Sequence, residues 1–284
     1  MIIVLLFFAI SLDCQQVFAE DTNRGHLFII GGRKLPSIMK KFVQLAGGPQ
    51  AKIVIFPMAS GDPLNAALYQ RYQFETLGVK NVEFIICDSL SADADSNLSV
   101  LQDVTGIFFS GGDQSDLTKA LLHTKMLGKI KHIYKNGGIV GGNSAGAAVM
   151  SELMITGDEL FNIDSTRAFT TIQKNNIKVT EGFGFIKSAI IDQHFIRRKR
   201  HNRLISLVLE HPELIGIAID EATAIIVSPD NTFEVLGDYT VIVYDATKAE
   251  KITTDKKGNL SAVNIRMHVL KSGDKYDLRT RETK

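Results

Sequence analysis

The chain of 284 residues is 45% apolar and 22% charged, and its 32 Lys+Arg against 31 Asp+Glu leave a net charge of +1. That apolar content builds a core and excludes a disordered chain. The near-zero charge gives no overall field to draw the protein to nucleic acid or anionic lipid, so electrostatic recognition must be local. The 23 glycines, 6 prolines and absent tryptophan suit tight strand-to-helix turns, and no repeat recurs at a solenoid or propeller period.

Residues 1–10, MIIVLLFFAI, are almost wholly apolar, and a polar stretch follows them to Gln16. Val17-Phe18-Ala19 then reads as a cleavage site before Glu20, so residues 1–19 are expected to be a signal peptide. The apolar run is too short for a permanent bilayer span, and no stable membrane anchor is expected. The expected location is periplasmic or secreted. Cys14 leaves with the signal, which isolates Cys87 in the mature chain 20–284. No Cys/His cluster has zinc spacing and no H-x-x-x-H pair occurs, so neither a metal nor another cofactor is expected.

The mature chain reads as alternating strands and helices. Apolar runs at 27–30, 53–56, 82–87, 106–109 and 139–140 predict strands, each closed or entered by glycine, serine or proline turns. Amphipathic stretches at 36–45 and 64–77 predict helices between them, the second marked by Leu64, Ala67, Leu68, Phe74 and Leu77. Continuous apolar strands separated by helical periods predict a parallel sheet covered on both faces. A helix-like stretch at 147–153, a strand at 185–191, a basic helix to Glu210 and strands at 214–219 and 223–227 come next. Beyond Asp230 the runs 233–236, 241–244 and 265–270 predict antiparallel strands. The expectation is one α/β domain over 20–284, a three-layer sandwich around a mostly parallel sheet with C-terminal antiparallel strands.

Gly142-Asn143-Ser144-Ala145-Gly146 has the spacing of a nucleophile elbow, with an apolar strand before it and a helix-like stretch after it. A serine on such a turn is pushed out above the sheet, and the Ala145 amide can help to bind an oxyanion. His194, in Asp192-Gln193-His194-Phe195, follows a predicted strand and is the candidate base. Asp220-Glu221, at the end of another strand, can supply the carboxylate that orients an imidazole. The order Ser, His, acid differs from that of α/β-hydrolases and argues against an ordinary esterase or lipase. Ser110-Gly111-Gly112-Asp113-Gln114 brings adjacent glycines to a strand end, where Gly112 can serve as a second oxyanion donor. Arg197-Arg198-Lys199-Arg200 with Arg203 is a dense basic cluster directly after His194. Its bland reading is a solvated helix face, but guanidinium forks beside a candidate base suit carboxylate-bearing substrates.

These segments together resemble the motif series of the cyanophycinases: Gly111-Gly112-Asp113-Gln114, the Ser144 elbow, Asp192-Gln193-His194-Phe195 with its spaced arginines, and Asp220-Glu221. That family belongs with the serine aspartyl dipeptidases, the peptidase E-like proteins, on a fold similar to class I glutamine amidotransferases. The resemblance extends from Ala46-Gly47-Gly48 and Ile55-Phe56-Pro57-Met58-Ala59-Ser60 to Gly273-Asp274-Lys275-Tyr276-Asp277-Leu278, nearly the whole mature chain.

The resemblance implies Ser144 as nucleophile, His194 as base and Glu221 as its orienting acid. It implies a substrate pocket lined by Gln114, Asp192, Gln193, Arg198, Arg200 and Arg203. The implied activity is exopeptidase cleavage of cyanophycin, a polyaspartate bearing arginine on each β-carboxyl, to release β-aspartyl-arginine through an acyl-enzyme. The partner would then be a peptide or polymer carrying aspartyl carboxylates and arginine side chains, and the resemblance also allows a homodimer. Two departures stand out. Cyanophycinases usually carry acids after the first glycine pair, whereas Gly31-Gly32 here leads into Arg33-Lys34, and a lysine four residues after the glutamine is Thr118 here, followed by Lys119. Two alternatives stay open: a dipeptidase for aspartyl or isoaspartyl peptides, and an exported peptide-binding protein without catalysis.

Overall fold

The computed structural model describes residues 25–161 and 169–284; the expected signal peptide and Cys14 lie outside the described residues. The elements in chain order begin with β1 (His26–Ile30), α1 (Pro36–Leu45), β2 (Lys52–Phe56), α2 (Pro63–Thr76) and β3 (Asn81–Phe84). Then come α3 (Asp95–Val100), β4 (Gly106–Phe109), α4 (Gln114–Leu121), α5 (Lys125–Lys135), β5 (Ile139–Asn143) and α6 (Ala145–Ala148). A hairpin of β6 (Leu153–Glu159) and β7 (Ile177–Glu181) precedes β8 (Ala189–Gln193), α7 (His201–Glu210), β9 (Ile215–Ile219) and β10 (Thr223–Val227). The chain closes with β11 (Thr232–Gly237), β12 (Val241–Asp245), β13 (Glu250–Thr254), β14 (Leu260–Val263), β15 (Arg266–Leu270), β16 (Lys275–Asp277) and β17 (Glu282–Thr283).

Nine strands form the central sheet in the order β17-β16-β11-β10-β1-β5-β4-β2-β3. Its block from β1 to β3 is parallel, and β10 begins the antiparallel flank by pairing with β1. A second sheet runs β15-β12-β9-β8. Side-chain alternation along the strands divides the core. Phe28, Phe108 and Ile139 face α1 and α2, where Phe42 and Phe74 meet them, with ring centroids 5.4–5.6 Å apart. The opposite face, carrying Ile29, Ile107, Phe109 and Val140, packs on α5, α6 and the inner face of the second sheet. Helix α7 covers the outer face of that second sheet through Leu204, Leu207 and Val208 against Ile190, Ala218 and Ile242. The layered α/β architecture is therefore as expected, with the parallel strands ending together at one edge.

Several local expectations are corrected. The C-terminal antiparallel strands divide between the sheets: β11 and β16 extend the central one, while β12 and β15 build the second. The strand expected at 185–191 begins at Ala189, because Phe185 and Ile186 anchor a loop instead. Phe185 meets Tyr134 edge-on, and Ile186 exchanges backbone hydrogen bonds with Met150 and Glu152. Most of the basic run is not helical: Arg197, Arg198 and Lys199 lie in turns, Arg200 is the N-cap residue, and α7 starts only at His201. Helix α6 stops at Ala148 rather than reaching residue 153. On α2 the inward positions are Ala67, Gln70 and Phe74, so Leu64 and Leu68 of the expected stripe face solvent. Strand β3 ends at Phe84, short of residue 87.

Candidate active site

Ser144 stands between the end of β5 and the start of α6 with φ +57° and ψ −107°, a conformation disfavoured for a residue with a Cβ. The surroundings hold it there. Its N–H donates to the Ile30 carbonyl at 3.0 Å, and its own carbonyl accepts from Ala147 and Ala148. The small residues of the motif are required by contact distance. A Cβ on Gly142 would lie 2.2 Å from the Gly146 carbonyl oxygen, and one on Gly146 would lie 2.3 Å from that of Phe109. Strand and helix thus close on each other tightly enough to force the serine outward.

His194 lies just beyond β8, also at positive φ (+49°), where its N–H donates to the Gly31 carbonyl at 2.7 Å. Ser144 Oγ is 2.7 Å from His194 Nε2, and His194 Nδ1 is 3.0 Å from Glu221 Oε1. A neutral imidazole protonated at Nδ1 satisfies both contacts, donating to the carboxylate and accepting from the hydroxyl. Burial holds the His194 pKa below the ordinary value, and the positive charge of Arg198 pushes the same way; the Glu221 hydrogen bond opposes them and Arg200 adds to the lowering. The ring is accordingly kept neutral at physiological pH, which leaves Nε2 unprotonated and able to accept a proton. Asp220, the other candidate acid, is buried and accepts the Arg197 backbone N–H at 3.1 Å. It is Glu221 that meets the imidazole.

The remaining candidates fall into two groups. Gly111 packs against the elbow, since a Cβ there would be 3.3 Å from Ser144 Cβ. Gly112, at φ +141°, passes so near the Ala59 carbonyl that no side chain fits. Ala145 opens α6, so its N–H has no intrahelical acceptor. In the second group the polar side chains engage one another. Asp192 and Arg203 are both essentially fully buried and form a fork-to-fork pair, Nε to Oδ2 at 2.7 Å and a second contact between a terminal nitrogen and Oδ1. The Arg203 guanidinium also lies 4.9 Å from the centre of the Phe169 ring. Arg200 donates to both the backbone and the side-chain oxygen of Gln193. The Gln114 amide nitrogen is spent on the carbonyls of Ile155 and Thr156, at 2.8 and 2.6 Å. Arg198 alone of the three named arginines is exposed. At the lysine departure, Thr118 is buried and bonds within α4, while Lys119 faces solvent and pairs with Asp116.

Gly32 also belongs to the site. A Cβ there would sit 2.5 Å from His194 Nδ1 and 2.8 Å from Glu221 Cγ, so the glycine pair after β1 makes room for the imidazole and its acid. The signal was present, a glycine pair at a strand end, but nothing local distinguishes it from an ordinary turn. Among the described residues no group of three or more His, Cys, Asp or Glu is arranged to hold a metal ion, and no helix is long and apolar enough to cross a membrane.

Known proteins resemble this chain along most of its length. A sequence model described as peptidase family S51 matches residues 27–235. The chain is 34% identical over 269 residues to a cyanophycinase of Synechococcus elongatus, covering 93% of this chain and 78% of the relative. It is 33% identical over 272 residues to a cyanophycinase of Geminocystis herdmanii, with 91% and 96% covered, and 34% identical over 279 residues to one of Trichormus variabilis, with 94% and 89% covered. A crystal structure of a peptidase from an acI-B1 Actinobacterium has the same fold, with a TM-score of 0.66 at 22% identity across 91% of this chain and 98% of that one.

Proposed function

The chain belongs to peptidase family S51 and is a serine-type peptidase; from that premise we propose that it acts as a cyanophycinase, cutting the aspartyl backbone of cyanophycin through an acyl-enzyme on Ser144. The observation that carries the chemistry is the unbroken chain of contacts from Ser144 Oγ through His194 to Glu221. His194 Nε2 takes the hydroxyl proton as Oγ attacks the carbonyl carbon, and Glu221 stabilises the imidazolium. The N–H groups of Ala145 and Gly112 face the oxyanion. The imidazolium returns its proton to the departing amine, leaving Ser144 acylated. Water then attacks the ester while His194 accepts its proton, and return of that proton to Ser144 frees the acid product. The charge pattern supports an acidic backbone as substrate. Of the arginines the resemblance places in the pocket, exposed Arg198 is free to meet an aspartyl carboxylate, while the Asp192–Arg203 and Gln193–Arg200 pairs and the anchored Gln114 make a wall that needs no rearrangement before binding.

The departure at Arg33-Lys34 favours a second reading, cleavage of short aspartyl or isoaspartyl peptides, because bases stand where cyanophycinases usually carry acids. Incubating the protein with cyanophycin and with short aspartyl peptides, then weighing the products, separates the two. Release of β-aspartyl-arginine from the polymer supports the first; cleavage of the short peptides alone supports the second; intact substrates throughout contradict both. We also propose export with removal of residues 1–19, on the apolar run and the Val17-Phe18-Ala19 pattern. N-terminal sequencing of exported protein should begin at Glu20, and an intact Met1 would refute it.

A further inference from the structure

A cleft of about 620 Å³ opens beside the triad and shares one residue with it, Glu221. Its other walls include Arg33, Ile196, Arg197, Asp238 and Tyr239, and no role in the chemistry above uses them. The volume lies in the range of ligand sites and holds a residue or two of peptide.

Three features mark it as built for a ligand. First, its rim is held in place by the segment that carries Glu221. The Ala222 N–H donates to the Arg33 carbonyl at 3.0 Å, the Asp238 N–H donates to the Ala222 carbonyl at 2.9 Å, and the Tyr239 N–H donates to Thr223 Oγ1 at 3.1 Å. Second, large apolar groups stand exposed within it: Ile196 is 42% and Tyr239 is 54% exposed. Third, it carries unneutralised charge of both signs. Among the described residues the guanidiniums of Arg33 and Arg197 and the carboxylate of Asp238 make no ion pair, whereas the other two acids are already engaged, Asp220 with the Arg197 N–H and Glu221 with His194.

We infer that this cleft is an accessory subsite for a dipolar unit of the peptide substrate, one carboxylate and one guanidinium, lying away from the scissile bond. The carboxylate is held by Arg33 and Arg197. The guanidinium meets Asp238 and lies over the Tyr239 ring, which favours a flat cation. A purely anionic or purely cationic chain would leave one sign of the lining unmatched. The inference rests on the aspartyl-arginine reading of the substrate. It adds to that reading a preference for length: a chain that reaches past Glu221 into the cleft binds more tightly than one that fills only the site at Ser144.

Binding to a Ser144→Ala protein, by calorimetry, tests this without turnover. The probes are synthetic aspartyl-arginine chains of two and four units. We expect the longer chain to bind about tenfold more tightly, on the strength of a charge-assisted contact. Asp238→Asn and Tyr239→Ala, each added to Ser144→Ala, should remove most of that advantage, and Asp238→Lys should remove it all. These positions are at the surface, so the fold should survive; circular dichroism checks that. Equal affinity for the two chains, an advantage untouched by all three substitutions, or no binding of either chain would overturn the subsite. Failure of the catalytic reading looks different: the wild-type protein would cleave neither chain, while the length advantage and its loss in the cleft variants would still be measured.

Discussion

Asp192 and His194 are two residues apart at the end of one strand, and each carries an ionisable group bonded to another ionisable group. Their partners treat them in opposite ways. Asp192 is enclosed with Arg203, both essentially without solvent contact, and two hydrogen bonds join the carboxylate and the guanidinium fork to fork. His194 meets Glu221 through one hydrogen bond at 3.0 Å, in a pair that solvent still reaches, and burial and the nearby arginines bias the ring toward its neutral form. A pair walled off from solvent serves as framework, and a pair that solvent reaches and through which one proton can move serves as chemistry. The basic cluster that looked uniform along the sequence is divided in the same way, with Arg203 and Arg200 built into the framework and Arg198 left exposed, its charge felt by His194.

The sharpest test of that contrast removes the group whose proton moves. Ser144→Ala should lower kcat/KM on an aspartyl-arginine peptide by roughly 10⁴–10⁶-fold, the range seen when a triad serine is lost, while thermal stability stays close to wild type. A strained serine replaced by alanine keeps the same backbone, so a large loss of stability would break the division between chemistry and framework.

Asp192→Ala should do the reverse in kind. It strands a buried guanidinium, which costs about 3–5 kcal/mol, read as a lower denaturant midpoint. Exchanging both members together, Asp192→Leu with Arg203→Met, should recover most of that stability, because no buried charge remains uncompensated. If the single substitution is harmless, the pair is not framework.

Much of this was legible in the sequence, but unevenly. Strand β4, strand β10 and helix α1 stand where their apolar patterns put them, since each buries a continuous run or one clean face. The elbow was legible because sterics demand small residues around Ser144, and Glu221 was legible as one of two neighbouring acids at a strand end. Helices α4 and α5 were not singled out, although Asp113 and Thr124 cap them with side-chain hydrogen bonds; their polar faces dilute the periodicity. What the arginines do was not legible at all. Whether Arg203 meets solvent or Asp192 depends on the turn at 195–200 folding back so that α7 points it inward, a matter of tertiary geometry rather than spacing. Likewise Arg33 and Tyr239 line one cleft only because β10 returns antiparallel beside β1 and β11 returns beside β10.

A third prediction concerns a charge that belongs to neither pair. Lys34 is largely buried beside Gln70, Tyr69 and Phe108, and burial pulls its pKa down from 10.5 to about 8. Between those values the unfolded chain binds a proton that the folded chain does not, so this group makes stability rise with pH across about 8 to 10.5. Below pH 8 the folded ammonium is protonated at a cost. Lys34→Met should therefore stabilise the protein at pH 7 by about 1–3 kcal/mol, with the gain shrinking above pH 8. A destabilised variant at pH 7 would mean that Gln70 and the two rings compensate the charge fully.

The smallest effect is a shift in a pH profile. Arg198→Gln removes a positive charge that lowers the His194 pKa, so the pKa should rise and more of the imidazole should be protonated on the acid side. The acid limb of kcat/KM should move to higher pH, with activity lost at pH 6 in greater proportion than at pH 8. An unmoved limb, with KM alone changed, would make Arg198 a substrate contact without influence on the base.

The most direct measurement of the central claim is covalent. An aspartyl ester with a good leaving group acylates a serine faster than water clears it, so rapid acid quenching during turnover, followed by digestion and mass mapping, should catch the intermediate. The expected result is one aspartyl increment on the fragment bearing Ser144, absent from Ser144→Ala and strongly reduced in His194→Ala. Turnover at the wild-type rate by Ser144→Ala, or an increment mapped to any other side chain, would contradict the assignment of Ser144 as nucleophile and His194 as its base.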